Sequence, residues 1–370
     1  ISGYIKHGHG NEAFSCLGKM RLEGLSPNNV TFICILKACG IMCDIVTGNE
    51  IHCEITEKGL LRKDTCLGNA LIDMYVTCGN LVDAHQVFEN LVDRDVVSWN
   101  VLMAGYLKHE SYQEVLDCYE QMHLKRTPLS SISFIYFLKA CGGLKAIEKG
   151  QEIHTEIERE GLGADLLLGG SLIEMYMNCG FLSKAKEVFD SLVTQDIVSW
   201  TALIAGYEKN GYCEEALASF EKMQFNGISP NSVTFVSILR ACGGSDNVAK
   251  GQELYAEISR KGFIERDVTI GNALIDMYTE CGLLFRACEV FNKLPSQDVV
   301  SWNMMMTGYA KYGHSDEVLD LFIKMQLEGH LPNAITYISS LKACGHIEVA
   351  SYEGRQLHAM IVGDSSLKRN

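Results

Sequence analysis

Four lysines recur at one phase of this chain: Lys6, Lys108, Lys209 and Lys311 stand about 101 residues apart. A second basic set, Lys37, Lys139, Arg240 and Lys342, keeps the same interval. Cations repeated at a fixed spacing form a track for a phosphate backbone. One such lysine is an ordinary solvated side chain; eight in phase, in a chain of net charge −14, read as phosphate contacts. Amides and carboxylates recur as well: Asn69 with Asn272, Asn100 with Asn303, and Asp95 with Asp196 and Asp298. The aspartates precede helical patterns and read as N-caps, a role compatible with a second one. Asn inside a helix has poor propensity, so its recurrence there asks for a reason other than helix stability.

Two strings, His52-Cys53-Glu54 and His154-Thr155-Glu156, carry the His-x-Glu spacing that zinc-dependent deamination uses. The equivalent strings further on are Tyr255-Ala256-Glu257 and His358-Ala359-Met360, and no Pro-Cys-x-x-Cys follows. They read as one phase of a repeated helix, with no metal. The 15 cysteines include no Cys-x-x-Cys pair. Cys39, Cys141, Cys242 and Cys344, and Cys78, Cys179 and Cys281, are again in phase and read as reduced thiols packed in helices. There is no glycine-rich phosphate loop, nucleophile elbow or Ser/His/Asp set, so neither catalysis nor a cofactor is expected within the chain.

The elements that must position these residues follow from the repeat. Trp99, Trp200 and Trp302 sit in Val96-Val97-Ser98-Trp99-Asn100, Ile197-Val198-Ser199-Trp200-Thr201 and Val299-Val300-Ser301-Trp302-Asn303. Lys37-Ala38-Cys39-Gly40 and Asn69-Ala70-Leu71-Ile72-Asp73-Met74-Tyr75 return at the same interval. The period divides into three unlike units. After a partial unit, 1–28, come 29–64, 65–95 and 96–130, then 131–165, 166–196 and 197–231, then 232–267, 268–298 and 299–333. A degenerate last unit and tail, 334–370, departs from the pattern after Ile347, giving about eleven units in one array.

Each unit reads as two helices. In 197–231, Trp200 to Lys209 is broken by Asn210-Gly211. Ala216, Leu217, Phe220 and Met223 then form an amphipathic face, with Gly227 as a stop and Pro230 beyond it. One hairpin cannot bury its apolar face; stacked hairpins can, which predicts an all-α solenoid. Hydrophobic residues at 47% supply the core, and 5 prolines leave room for many helices. The balance of 32 basic against 46 acidic residues argues against a generic polyanion binder. No apolar run approaches the ~18 residues of a membrane span, so no membrane partner is expected. The chain opens on Ile1 and reads as a piece of a longer protein, any targeting segment lying outside it.

These units and strings resemble pentatricopeptide repeat proteins, and the long, short and standard units resemble the plant PLS subclass. The resemblance covers essentially the whole chain before its last ~20 residues. It implies a right-handed superhelix of helix-turn-helix repeats that binds single-stranded RNA in a mitochondrion or chloroplast. It also implies a place in C-to-U RNA editing, with a deaminase-bearing or editing accessory protein as a further partner.

With each unit numbered from its first residue, the family reads bases with position 5 and the last residue. The resemblance then implies uracil for Asn69 with Asp95, cytosine for Asn100 with Ser130, and adenine for Thr201 with Asn231. It implies uracil again for Asn272 with Asp298, and a pyrimidine for Asn303 with Asn333. The chemistry is apt: Asn donates and accepts, Asp only accepts, and the shorter Thr leaves room for a purine. Gly170 with Asp196 departs from the pattern, and Ile33, Ile135, Val236 and Ile338 cannot hydrogen-bond a base edge. The implied target is 5′-NNUCNNANUYN-3′, its first N belonging to the truncated unit that keeps Asn28. In the family, position 2 packs on base faces; here it is Val97, Val198 and Val300 among others, residues that would equally suit a core. Trp99, Trp200 and Trp302 at position 4, like Phe32, Phe134, Phe235 and Tyr337, read as core. Three rivals remain: a solenoid binding a protein or peptide, an organellar RNA stability or splicing factor, and an enzyme whose catalysis lies outside this chain.

Overall fold

The computed structural model describes residues 1–62, 64–163 and 165–346. Among them every regular element is helical: twenty-one α-helices and a short turn of tighter helix at Leu60–Arg62. The first helices of successive hairpins are Asn29–Met42, Thr65–Thr77, Val96–Lys108, Ser131–Leu144 and Leu166–Asn178, then Ile197–Lys209, Ser232–Gly244, Val268–Glu280, Val299–Lys311 and Ala334–His346. Each starts one residue after an Asp, Asn or Ser whose side chain accepts a backbone N–H of its first turn. Asp95 takes Ser98 N–H at 2.8 Å, Ser130 takes Ser133 N–H at 3.2 Å, and Asn231 takes Thr234 N–H at 2.8 Å. These caps satisfy donors that the helix itself cannot.

The chain forms two compact units, 1–194 and the part beginning at Gln195. Within each, every first helix packs on the next first helix, and the second helices pack behind them. The first helices therefore make one layer and the second helices another. The core between the layers is built from position 4. Trp99, Trp302, Phe32, Phe134 and Phe235 are at most 1% exposed. Trp99 meets Phe88 edge to face at 4.5 Å, and Trp302 meets Phe291 likewise at 4.8 Å, worth about 0.5–1.5 kcal/mol each beyond burial.

The short repeats solve the same problem differently. Their second helices, Leu81–Asn90, Leu182–Ser191 and Leu284–Lys293, have ten residues where the others have thirteen. The chain leaves each through an extended leucine, Leu91, Leu192 or Leu294. That leucine takes the space beside position 4, which is Gly68, Gly169 or Gly271. A Cβ on Gly271 would lie 2.2 Å from Leu294 Cδ2, and one on Gly68 2.3 Å from Leu91 Cδ2. Gly211 and Gly227, at φ +79° and +75°, end the two helices of the 197–231 hairpin, a backbone state that glycine adopts at least cost. His358-Ala359-Met360 and residues 347–370 of the last unit lie outside the described residues.

Candidate nucleic-acid interface

Position 2 is presented outward. Val97, Val198 and Val300 are 56%, 45% and 49% exposed, although two residues later the chain is buried. Val30, Ile132, Val233 and Ile335 behave alike. The core alternative for these residues is excluded: they are apolar ribs on the open face of the first-helix layer.

Position 5 lies behind the ribs. In the 299–333 hairpin Asn303 is 5% exposed and donates from Nδ2 to Asn333 Oδ1 at 3.0 Å. A third side chain joins them: Thr336, at position 3 of the next hairpin, donates to Asn303 Oδ1 at 2.6 Å. Asn303 and Asn333 border a cleft of about 220 Å³ between Val300 and Ile335, which Thr307, Lys311, Asp276 and Glu280 also line. An apolar slot with amides behind it suits a flat ring with polar edges.

The other pairs repeat this arrangement with variations. Asn272 donates to Asp298 Oδ1 at 3.4 Å and accepts from the Ser301 hydroxyl at 2.7 Å. Asp298 Oδ1 also accepts the Ser301 N–H and is within 2.8 Å of its hydroxyl; the carboxylate's other oxygen, Oδ2, is in none of these bonds. Partial burial alone would raise the Asp298 pKa, but these donors hold it below the ordinary carboxylate range. Asn100, Ser130 and Ser133 close a ring of bonds of 3.3, 2.9 and 2.9 Å. Thr201 pairs with Thr234, hydroxyl to hydroxyl, at 2.8 Å, and Thr234 also reaches Asn231 at 2.9 Å. Asn69 is the exception: Ser98 turns to Asp95 at 2.9 Å, and the buried Asn69 Oδ1 has no partner. In the long repeats the closing Asp is engaged at position 1 instead: Asn29 donates to Asp64 at 2.7 Å, and Ser232 bonds Asp267. Asp95, Asp196 and Asp298 all cap helices as well.

The Ser/Thr at position 3 is what sequence reasoning missed. Ser98, Ser133, Ser199, Thr234, Ser301 and Thr336 are fully buried. Their common phase was legible; the partner some thirty residues upstream that Ser133, Thr234, Ser301 and Thr336 reach was not.

The face is basic only in part. Lys6, Lys108 and Lys209 are exposed and in no ion pair among the described residues. Lys311 is paired, 2.8 Å from Glu280, which holds its ammonium above the ordinary lysine range. The phase that carries Lys37, Lys139 and Arg240 in the long repeats carries Asp73, Glu174 and Asp276 in the short ones. Burial, with the charge of Glu280, pushes the Asp276 carboxyl up, while Arg240 and Lys311 pull it down. The recurring basic residues of the long repeats thus alternate with carboxylates in the short ones.

The His-x-Glu strings are structural. His52 Nδ1 bonds the Tyr75 hydroxyl at 2.8 Å and His154 Nδ1 that of Tyr176 at 2.9 Å. Glu156 accepts from Tyr119 at 2.7 Å. Burial pushes the Cys39, Cys141 and Cys242 thiols up to about 12, where they pack as small apolar groups.

A family model described as the PPR repeat family matches residues 1–40, 94–143, 195–244 and 297–346, and a PPR repeat model matches 69–96, 170–197 and 272–299. The chain belongs to the pentatricopeptide repeat family. A mitochondrial pentatricopeptide repeat-containing protein of Arabidopsis thaliana is 33% identical over 98% of this chain, which spans 35% of that relative. A chloroplastic one from the same plant is 33% identical over 97% of the chain, which spans 58% of it. The chain thus covers about a third to three-fifths of these two relatives. Among solved structures, the pentatricopeptide repeat protein PPR10 from maize aligns over 97% of this chain and 57% of its own, with a TM-score of 0.60 at 17% identity. Yeast Rmd9p, solved with a 16-nucleotide target RNA, aligns over 92% of this chain and 77% of its own, with a TM-score of 0.51 at 13% identity. These likenesses establish the pentatricopeptide fold of stacked helical hairpins.

Proposed function

We propose that this repeat array binds single-stranded RNA in a sequence-specific way, one base per hairpin, and serves as the recognition part of an organellar C-to-U editing factor of PLS type. The observation that carries the reading is the cleft between Val300 and Ile335, with Asn303 and Asn333 at its polar side. A base slides between the two aliphatic ribs and shows its edge to the amides. Asp298 Oδ2 accepts the N3–H that uracil has and cytosine lacks; the Ser130 hydroxyl, by handing its proton from Ser133 to the base, donates to cytosine N3. Thr201, with its short side chain, leaves room for adenine. Lys6, Lys108, Lys209 and Lys311 meet phosphates, Lys311 by exchanging Glu280 for one. The long repeats, with Ile33, Ile135 and Val236 at position 5, act as spacers. Maize PPR10 was also solved with an 18-nucleotide psaJ RNA element, and the Arabidopsis relatives are named mitochondrial or chloroplastic, which supports RNA as ligand and an organelle as location. The deamination itself falls to a deaminase-bearing partner or to sequence outside this chain.

Selection from a random single-stranded RNA pool tests the reading. The expected outcome is enrichment of U-C, with an A three nucleotides after that C. A folded protein that enriches nothing over a scrambled pool would refute it. The alternation of acidic and basic residues would then point to a protein or peptide ligand.

A further inference from the structure

The two-residue reading of each base gives the buried hydroxyl at position 3 of the following hairpin no part in base choice beyond its place in the helix cap. We propose that this Ser or Thr is a positioning residue for base choice: it fixes which edge of the preceding hairpin's Asn faces the RNA. The inference rests on the RNA-binding reading above.

Three observations converge. First, the hydroxyl donates to the Asn oxygen directly: Ser133 to Asn100 at 2.9 Å, Ser301 to Asn272 at 2.7 Å and Thr336 to Asn303 at 2.6 Å. Second, none of these hydroxyl-bearing residues is exposed, so solvent cannot supply the bond instead. Third, the residue type follows the preceding hairpin wherever position 5 is polar or aliphatic; after Gly170 it is Ser199, which bonds the Asp196 carbonyl instead. After Asn69, Asn100, Thr201, Asn272 and Asn303, position 3 of the next unit is Ser98, Ser133, Thr234, Ser301 and Thr336. After the aliphatic Ile33, Ile135 and Val236 it is Leu67, Leu168 and Ile270. The hydroxyl also serves its own helix start, since Ser133 and Ser301 complete capping boxes with Ser130 and Asp298, and its bond to the upstream Asn is a second engagement beyond that cap.

The physical need is plain. A carboxamide is nearly symmetric in shape but has an acceptor at one end and donors at the other, and a half-turn exchanges them. A free Asn would offer a base either edge. With Oδ1 held by a buried hydroxyl and one N–H held by the closing residue, the orientation is set. The second N–H of the amide and the remaining Oδ1 lone pair then stand at fixed positions for the base. In the 96–130 hairpin the loop closes completely: Asn100 Nδ2 gives to Ser130, Ser130 to Ser133, and Ser133 back to Asn100 Oδ1. Asn69, whose oxygen lacks this bond, marks where the device is not engaged in the free protein.

The test uses the whole chain and an RNA panel carrying each base at the fourth nucleotide of the implied target, opposite the 96–130 hairpin. Ser133→Ala should lower the preference for cytosine there by about ten-fold and leave the choices at the third and seventh nucleotides intact. Ser133→Thr, which keeps the hydroxyl, should restore the preference. Unchanged preference in a Ser133→Ala protein that melts cooperatively would overturn the inference. So would an equal loss of affinity for all four bases, since that is a purely structural role. A wild-type chain with no base preference anywhere would overturn the RNA-binding reading itself, and this inference with it. The Ser133 result is therefore read only against wild-type selectivity at the third and seventh nucleotides.

Discussion

Replacing Asp298 by asparagine separates the two jobs that one side chain holds. As an N-cap, Asp298 accepts the Ser301 N–H at 2.8 Å through Oδ1. Asparagine caps about as well as aspartate, so that bond survives Asp298→Asn. What is lost is a negative charge at a helix N-terminus, about 0.3–1 kcal/mol for an exposed group. Asp298→Ala removes the cap acceptor too and should cost about 1–2 kcal/mol. Base choice should order the variants differently. In Asp298→Asn an amide nitrogen replaces Oδ2, so a donor meets the N3–H of uracil and an acceptor no longer does. The preference for uracil over cytosine at that nucleotide should fall by about 1–3 kcal/mol, roughly 5- to 150-fold. Competition binding with two oligonucleotides that differ only at this base, alongside thermal melts, measures both. The acid limb gives a second check. Because the Asp298 pKa lies below its unfolded value of about 3.9, its contribution is present above pH ~4 and is lost as pH falls through the folded value. The stability gap between wild type and Asp298→Asn should therefore be widest near neutrality and close in acid. A variant that melts like Asp298→Ala yet keeps its uracil preference would refute the reasoning, and leave Asp298 a cap alone.

Two further outcomes follow from the same face. Lys209→Ala should weaken binding to every RNA alike and reduce the salt dependence by about 0.7 in slope, measured by titration at several salt concentrations; altered base preference would remove Lys209 from the phosphate track. Val300→Ser should leave stability within about 0.5 kcal/mol, since Val300 is 49% exposed, while lowering RNA affinity. A melting loss equal to that of a core substitution, with affinity kept, would return Val300 to packing.

How much was legible in the sequence depended on the range of the interaction. Caps such as Asp95 and stops such as Gly227 act within one turn, so the hairpins can be read from local chemistry. Trp99 and Trp302 announced the core because a large ring recurring in an otherwise variable phase needs a buried place. Position 2 could not be assigned: a β-branched residue two places into a helix looks the same whether it faces a core or an opening. Position 3 was invisible for another reason. Ser301 reads as an ordinary helix-start residue until Asn272, from the preceding hairpin, is seen to reach it. The alternation of signs was countable in the residues at the phase of Lys37 and Asp73. That Glu280 lies close enough to bind Lys311 required the packing of one first helix on the next.

The hydrogen-bonded trios also bear on how such a chain can be cut and rejoined. Asn303 and Asn333 lie on one side of a repeat boundary, and Thr336 lies on the other. A cassette excised at that boundary would carry the two amides away from their hydroxyl and set them against whatever the next module brings. A cassette whose ends fall between the third and fourth residues of successive first helices would move all three together. The unit of exchange suited to this molecule is thus offset by three residues from the unit of repetition.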